Sequence, residues 1–144
     1  MPQKPATLKM VVVDDEELIG KMISDFFAME GDQYQVFTAM DGEAGWDLCQ
    51  KVQPGFIITD LMLPKMSGIQ LIKKLRGTLE FGAIPIIAIT AGSMQLQQEA
   101  VQAGATVVME KPLRRIALIQ KVEELLFASP FLSSSSSISL LPGP

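Results

Sequence analysis

Histidine is absent from this 144-residue chain. That excludes Ser-His-Asp and Cys-His catalysis, histidine-ligated metals and a histidine phosphodonor within the chain, and leaves the chemistry to carboxylates, hydroxyls and lysines. Cysteine occurs once, at Cys49, which excludes an internal disulfide and any zinc site built from several thiolates. Positive charge is in the minority. Twelve Lys and Arg against 16 Asp and Glu give a net charge of −4, and no basic run suggests a nucleic-acid footprint. The apolar runs stop far short of a bilayer span. Met1 to Lys9 holds two prolines and no apolar core of signal-peptide length. With no membrane segment and a thiol content that suits a reducing compartment, the expected location is cytoplasmic.

What is present is a strict alternation. Leu8 to Val13 is a short apolar run closing on Asp14-Asp15, and from Glu16 to Glu30 Leu18, Ile19, Met22, Ile23, Phe26 and Phe27 recur at helical spacing. Tyr34–Ala39 is a weaker second strand. Asp41 is placed to cap a helix running to about Val52, and Pro54-Gly55 ends it before Phe56-Ile57-Ile58-Thr59-Asp60. A third helix over about 67–76, a strand over 84–90, a helix over 93–103, a strand over 104–109 and a helix over about 112–127 complete the pattern. In the last helix Ile116, Ile119, Val122 and Leu126 are the residues expected to face inward. Trp46 and Cys49, one turn apart in the second helix, are expected to pack rather than react.

Five strand–helix alternations with short links require right-handed crossovers and a parallel sheet covered on both faces. The expected fold class is therefore α/β, a doubly wound parallel sheet of five strands with helices on both faces. The organisation read from the sequence is an N-terminal extension over 1–7, one domain over 8–127 and a Ser-rich tail over 128–144. The tail reads as a flexible extension, with docking of Ile138, Leu140 and Leu141 on an apolar surface as the alternative.

In such a sheet the strand C-termini share one edge, and ligands bind there. That edge collects Asp14, Asp15, Asp60, Thr90 and Lys111. Each acid alone could be a helix cap, Thr90 a strand-end hydroxyl and Lys111 a solvated lysine; their convergence on one edge favours a functional reading. Three carboxylates face one ammonium, and two carboxylates ~4 Å apart repel by about 4 kcal/mol at an effective dielectric of ~20. A hard divalent cation relieves this, and a donor set made only of oxygens points to Mg²⁺.

These residues stand in Val13-Asp14-Asp15, Asp60-Leu61-Met62-Leu63-Pro64-Lys65-Met66-Ser67-Gly68, Ile89-Thr90-Ala91 and Glu110-Lys111-Pro112. As an ordered set they resemble the receiver domain of two-component response regulators, in particular the single-domain, chemotaxis-type regulators, over about residues 8 to 127. The resemblance implies an α/β fold with a five-stranded parallel sheet of order 2-1-3-4-5, a flavodoxin-like, doubly wound three-layer sandwich. The resemblance implies that Asp60 accepts a phosphoryl group from a sensor histidine kinase or a histidine phosphotransfer protein. It implies that Asp14, Asp15, Asp60 and the Met62 backbone carbonyl hold Mg²⁺, and that Thr90, the Ala91 backbone N–H and Lys111 bind the phosphoryl group. Lys111-Pro112 is expected to be cis. The chain would not be an enzyme beyond its own phosphotransfer and dephosphorylation. Its output would be contact with a downstream protein, including a phosphorylation-dependent homodimer, or onward phosphotransfer, rather than direct DNA binding.

Two departures from the family pattern matter. Val108 occupies the switch position where many receivers carry an aromatic, so an aromatic rotamer switch is excluded. Met62 and Gly92, two residues beyond Asp60 and Thr90, offer no side chain that orients an attacking water. The expectation is a slow self-dephosphorylation, and a phosphoryl half-life of seconds would contradict it. Two rival readings follow from the same residues. One is a phosphorylation-independent interaction scaffold on the same fold. The other is a phosphohydrolase of the haloacid-dehalogenase kind, which needs a second Asp where this chain has Met62.

Overall fold

The structure, a computed structural model, describes residues 7–127; the serine-rich segment lies outside them. The chain divides into two compact units, Met1–Leu113 and Arg114–Pro144. The first holds the strands β1 (Leu8–Val13), β2 (Tyr34–Ala39), β3 (Phe56–Asp60), β4 (Ile86–Thr90) and β5 (Val107–Glu110). They form one parallel sheet, as the alternation predicts, in the order β2-β1-β3-β4-β5 that the family resemblance implies. Every residue of β3 and β4 is buried, which is why these segments read as unbroken apolar runs. The edge strand β2 is only partly enclosed.

Four helices accompany the sheet: α1 (Glu17–Ala28), α2 (Gly42–Val52), α3 (Gly68–Arg76) and α4 (Met94–Ala103). Val11, Val13, Ile57, Ile86 and Ala88 share a core with Cys49 of α2, Leu71, Ile72 and Leu75 of α3, and Ala100 and Ala103 of α4. Helix α1 takes the other side of β2, where Gly20 lies against Thr38 and the Phe27 ring meets Tyr34 edge-on at 4.9 Å. Asp41, Ser67 and Ser93 each accept a backbone N–H at the start of α2, α3 and α4, and Ser67 forms a full capping box with Gln70. Cys49 is fully buried, and burial pushes its thiol up to about 12. It is a core residue with no thiolate to offer.

Far from the strand C-termini, Arg76 fastens two loops, the one before β4 and the one before β5. Its guanidinium donates to the carbonyls of Gly104 (2.8 Å), Phe81 (3.1 Å) and Ile84 (2.7 Å) and to Thr106 Oγ1 (3.2 Å). Thr106 Oγ1 also accepts the Ile86 N–H at 3.0 Å. The capture of the Ile84 carbonyl explains why β4 starts at Ile86, two residues later than the sequence suggests; Pro85 between them has no N–H for the ladder. Arg76→Ala leaves these acceptors without their donor. It is expected to cost about 3 kcal/mol, read as a lower urea midpoint at unchanged m.

In the second unit, α5 (Arg115–Phe127) opens on a bond from the Leu118 N–H to the Arg114 carbonyl (3.0 Å). Its buried residues are Leu118, Ile119 and Val122. Ile116, expected to face inward, is 60% exposed, because the buried stripe is centred one position further along. No helix of the described residues is long and apolar enough to cross a membrane.

Candidate functional site

Parallel register carries the candidate residues to one edge. Val13 of β1 lies beside Thr59 of β3, so Asp14 and Asp60 follow at the same level. Asp60 pairs with Ile89, and Thr90 with Glu110, which brings Thr90 and Lys111 to the same end. The chain leaves each strand there with backbone bonds still in place: Asp14 N–H to the Ala39 carbonyl (3.0 Å), Leu61 N–H to that of Ile89 (3.2 Å) and Lys111 N–H to that of Thr90 (3.0 Å). The Lys111-Pro112 bond is cis, as expected.

Lys111 lies at the centre of the charges. Its Nζ is 2.8 Å from Asp60 Oδ2, 3.4 Å from Asp14 Oδ2 and 3.9 Å from Glu16 Oε2. Asp60 Oδ1 accepts the Met62 N–H at 3.1 Å, so both oxygens of this buried carboxylate are engaged. Asp14 is also buried. Its Oδ1 accepts the Glu16 N–H at 2.9 Å, whereas Oδ2 has no hydrogen-bond partner and lies 3.4 Å from the Lys111 ammonium. Burial holds the Asp14 carboxyl above its usual range and the Asp60 charge adds to this; the Glu16 N–H and Lys111 oppose it. Burial by itself would lower the Lys111 amine. The hydrogen bond and charge of Asp60, with those of Asp14, more than offset that and raise it, so Lys111 is an ammonium throughout the neutral range.

Ligand atoms of Asp14, Asp15 and Asp60 lie within 4.8 Å of one another. Two of these acids are buried, one is exposed, and Asp14 Oδ2 is an orphan acceptor. An oxygen donor set with an unsatisfied buried lone pair fits a hard divalent cation. The acids open on a cleft of about 560 Å³ lined by Asp15, Glu16, Asp60 and Lys111 on its charged side and by Met62, Ala91, Gly92 and Leu96 on the other.

The loop from β3 to α3 folds tightly around this carboxylate. The Gly68 N–H donates to the Leu61 carbonyl at 3.0 Å, and a side chain at Gly68 would overlap the Asp60 carbonyl oxygen. Lys65 adopts a left-handed φ of 69° and lies 3.8 Å from Asp41 at the start of α2. A glycine eight residues after the acid is thus a requirement of close backbone approach.

Not every predicted residue faces the cleft. Thr90 is fully buried at the end of β4, and its Oγ1 accepts the Gly92 N–H at 2.7 Å; Ala91 and Gly92 line the cleft in its place. Met62 touches Asp60 through its amide, and the residue is 68% exposed. Val108 lies away from the acids, on a groove shared with Met94, Gln97, Gln98, Val101 and Gln102. Glu16 was not among the residues singled out from the sequence. The signal for it was its place directly after the acid pair, where a helix start favours a shorter cap.

A family model described as the response regulator receiver domain matches residues 10–123. The polar-differentiation response regulator DivK of Brucella ovis is 30% identical over 121 residues, covering 83% of this chain and 97% of that protein. The hybrid signal transduction histidine kinase D of Dictyostelium discoideum is 30% identical over 118 residues, which is 81% of this chain and 7% of that protein. Among solved structures, the chemotaxis protein CheY4 of Vibrio cholerae superposes with a TM-score of 0.77 at 30% identity, over 83% of this chain and 99% of that one. The receiver domain of the Pseudomonas aeruginosa sensor histidine kinase PA1611, which holds a magnesium ion in its active-site cleft, matches in fold with a TM-score of 0.77 at 24% identity, over 85% of this chain and 100% of that one.

Proposed function

The chain belongs to the response regulator receiver family of two-component signalling, and from that premise we propose that Asp60 is a phosphoacceptor. In this reading an Asp60 oxygen attacks the phosphorus of a phosphohistidine on a sensor histidine kinase or a histidine phosphotransfer protein. The P–N bond breaks as the P–O bond forms, the imidazole leaves with the electron pair and takes up a proton, and Asp60 becomes an acyl phosphate.

One observation carries the proposal. The Asp60 carboxylate lies between the Lys111 ammonium at 2.8 Å and an acid cluster whose ligand atoms fall within 4.8 Å. Asp14, Asp15 and Asp60 would hold Mg²⁺, with the Met62 carbonyl as a further donor. Bound there, the ion would neutralise and orient the phosphoryl oxygens. The chain's own part is to present Asp60 at the cleft floor, to carry Lys111 onto the incoming phosphoryl oxygens and to offer the Ala91 N–H to them. Thr90 joins when its hydroxyl, now engaged with the Gly92 N–H, turns toward the new charge.

The reading is of a cytoplasmic signalling protein that catalyses only its own phosphotransfer and dephosphorylation. Its output is contact with a downstream protein partner, homodimerisation included. The test is incorporation of phosphate from a small acyl-phosphate donor: stable labelling with Mg²⁺ and none in EDTA is expected. Labelling that ignores EDTA would contradict the proposal. A second reading, a scaffold indifferent to phosphorylation, is favoured by one observation: Val108 is aliphatic and half-buried, so no aromatic there can report the phosphoryl group. Full cellular activity of Asp60→Ala would support that reading.

A further inference from the structure

Glu16 occupies the N-cap of α1, and its side chain makes no capping hydrogen bond there. Asp, Asn, Ser or Thr at such a position accepts a helix N–H and stabilises the helix; α2, α3 and α4 all follow that rule. At α1 the chain forgoes it. The longer Glu16 side chain instead lines the cleft and brings its Oε2 to 3.9 Å from Lys111 Nζ, while its own N–H fixes Asp14 Oδ1 at 2.9 Å. The cleft therefore gathers four carboxylates, Asp14, Asp15, Glu16 and Asp60, around one ammonium. Glu16 is exposed, with 65% of its side chain accessible, so its charge is presented to whatever approaches.

We propose that Glu16 is a specificity-determining residue of the phosphoacceptor site: its carboxylate at the cleft mouth disfavours free, doubly charged phosphodonors and so reserves Asp60 for protein-borne ones. The inference rests on the phosphoacceptor reading. A small acyl phosphate approaches the cleft as a dianion and meets the Glu16 charge before it reaches Lys111. A donor carrying less negative charge meets a lower barrier. On a protein, the phosphoryl group is positioned by contacts remote from this charge.

The experiment compares two small donors on the wild-type chain and on Glu16→Gln, with Glu17→Gln as a control in the same helix turn. The donors are acetyl phosphate, a dianion at neutral pH, and phosphoramidate, which carries less charge. Glu16→Gln is expected to raise the phosphorylation rate with acetyl phosphate about threefold at low salt, the range of a single exposed charge. The rate with phosphoramidate should change much less. The gain should fade at high salt, and Glu17→Gln should match the wild type. A donor ratio unchanged by Glu16→Gln, or a gain that is equal for both donors and indifferent to salt, would overturn the inference alone. Absence of magnesium-dependent labelling of the wild-type chain by either donor would overturn the phosphoacceptor reading and this inference with it.

Discussion

Asp60→Asn is expected to abolish phosphoryl uptake, with the label falling to the blank for a small donor and for a partner kinase alike. The amide has nearly the same shape, so the β3–α3 loop should keep its course over Gly68 and the fold should survive. What would disappear is the negative oxygen proposed to attack phosphorus and the charge that holds Lys111 at 2.8 Å. No neighbour can take over from that position. Asp14 is held from behind by the Glu16 N–H, and Asp15 is exposed at the cleft rim. The loss should exceed a thousandfold, as expected when the nucleophile itself is removed. Labelling within tenfold of wild type would mean that another residue accepts the phosphoryl group.

The second large effect concerns Asp14 and is read in stability. Metal-free, this buried carboxyl has a raised pKa, first through burial and then through the charge of Asp60. Its contribution to stability is fully present below the ordinary value of 3.8 and is lost as pH rises through the folded-state value. At neutral pH a buried, partly unpaired charge therefore weighs against folding. In EDTA at neutral pH, Asp14→Asn is expected to raise stability by about 2 kcal/mol, or about 5 °C in Tm. The gap should close below pH ~3.8, where the wild-type carboxyl is neutral in both states. Mg²⁺ should reverse the order. At a hundredfold excess over Kd it adds about 2.7 kcal/mol to the wild type, and little to the variant. Thermal melts with EDTA and with Mg²⁺ measure both; an equal magnesium response in the two proteins would contradict the assigned ligand.

The legible part of the site was the part dictated by topology. Once Leu8–Val13 and Phe56–Ile58 read as buried parallel strands, Asp14 and Asp60 had to emerge at one edge of the sheet, and Lys111 had to follow from the last strand; the pairing of β1 with β3 then sets the two acids side by side. The two-sided burial of β3 and β4 follows from the same alternation, whereas the strand order was legible only through the family resemblance. What escaped was fixed by side-chain rotamers and by packing between segments far apart in sequence. Nothing local to Thr90 tells that its hydroxyl closes on the Gly92 N–H and lies fully buried. Arg76 marks the end of the third helix in the sequence, and nothing local shows that it clamps carbonyls up to 28 residues away. Glu16 reads as the first acid of an amphipathic helix, and only the fold aims it at Lys111. Helix α5 begins at Arg115, three residues later than the pattern suggests, and buries Leu118 in place of Ile116 beside Ile119 and Val122, because helical periodicity fixes a face more firmly than an end.

The most direct test of the central claim is chemical trapping. Reducing the phosphorylated chain with borohydride converts an aspartyl phosphate to homoserine, and peptide mapping then locates it. Homoserine at position 60 alone, formed only when Mg²⁺ was present during phosphorylation, is the expected result. Homoserine at Asp14 or Asp15, or none anywhere in a chain that carries the label, would contradict the account.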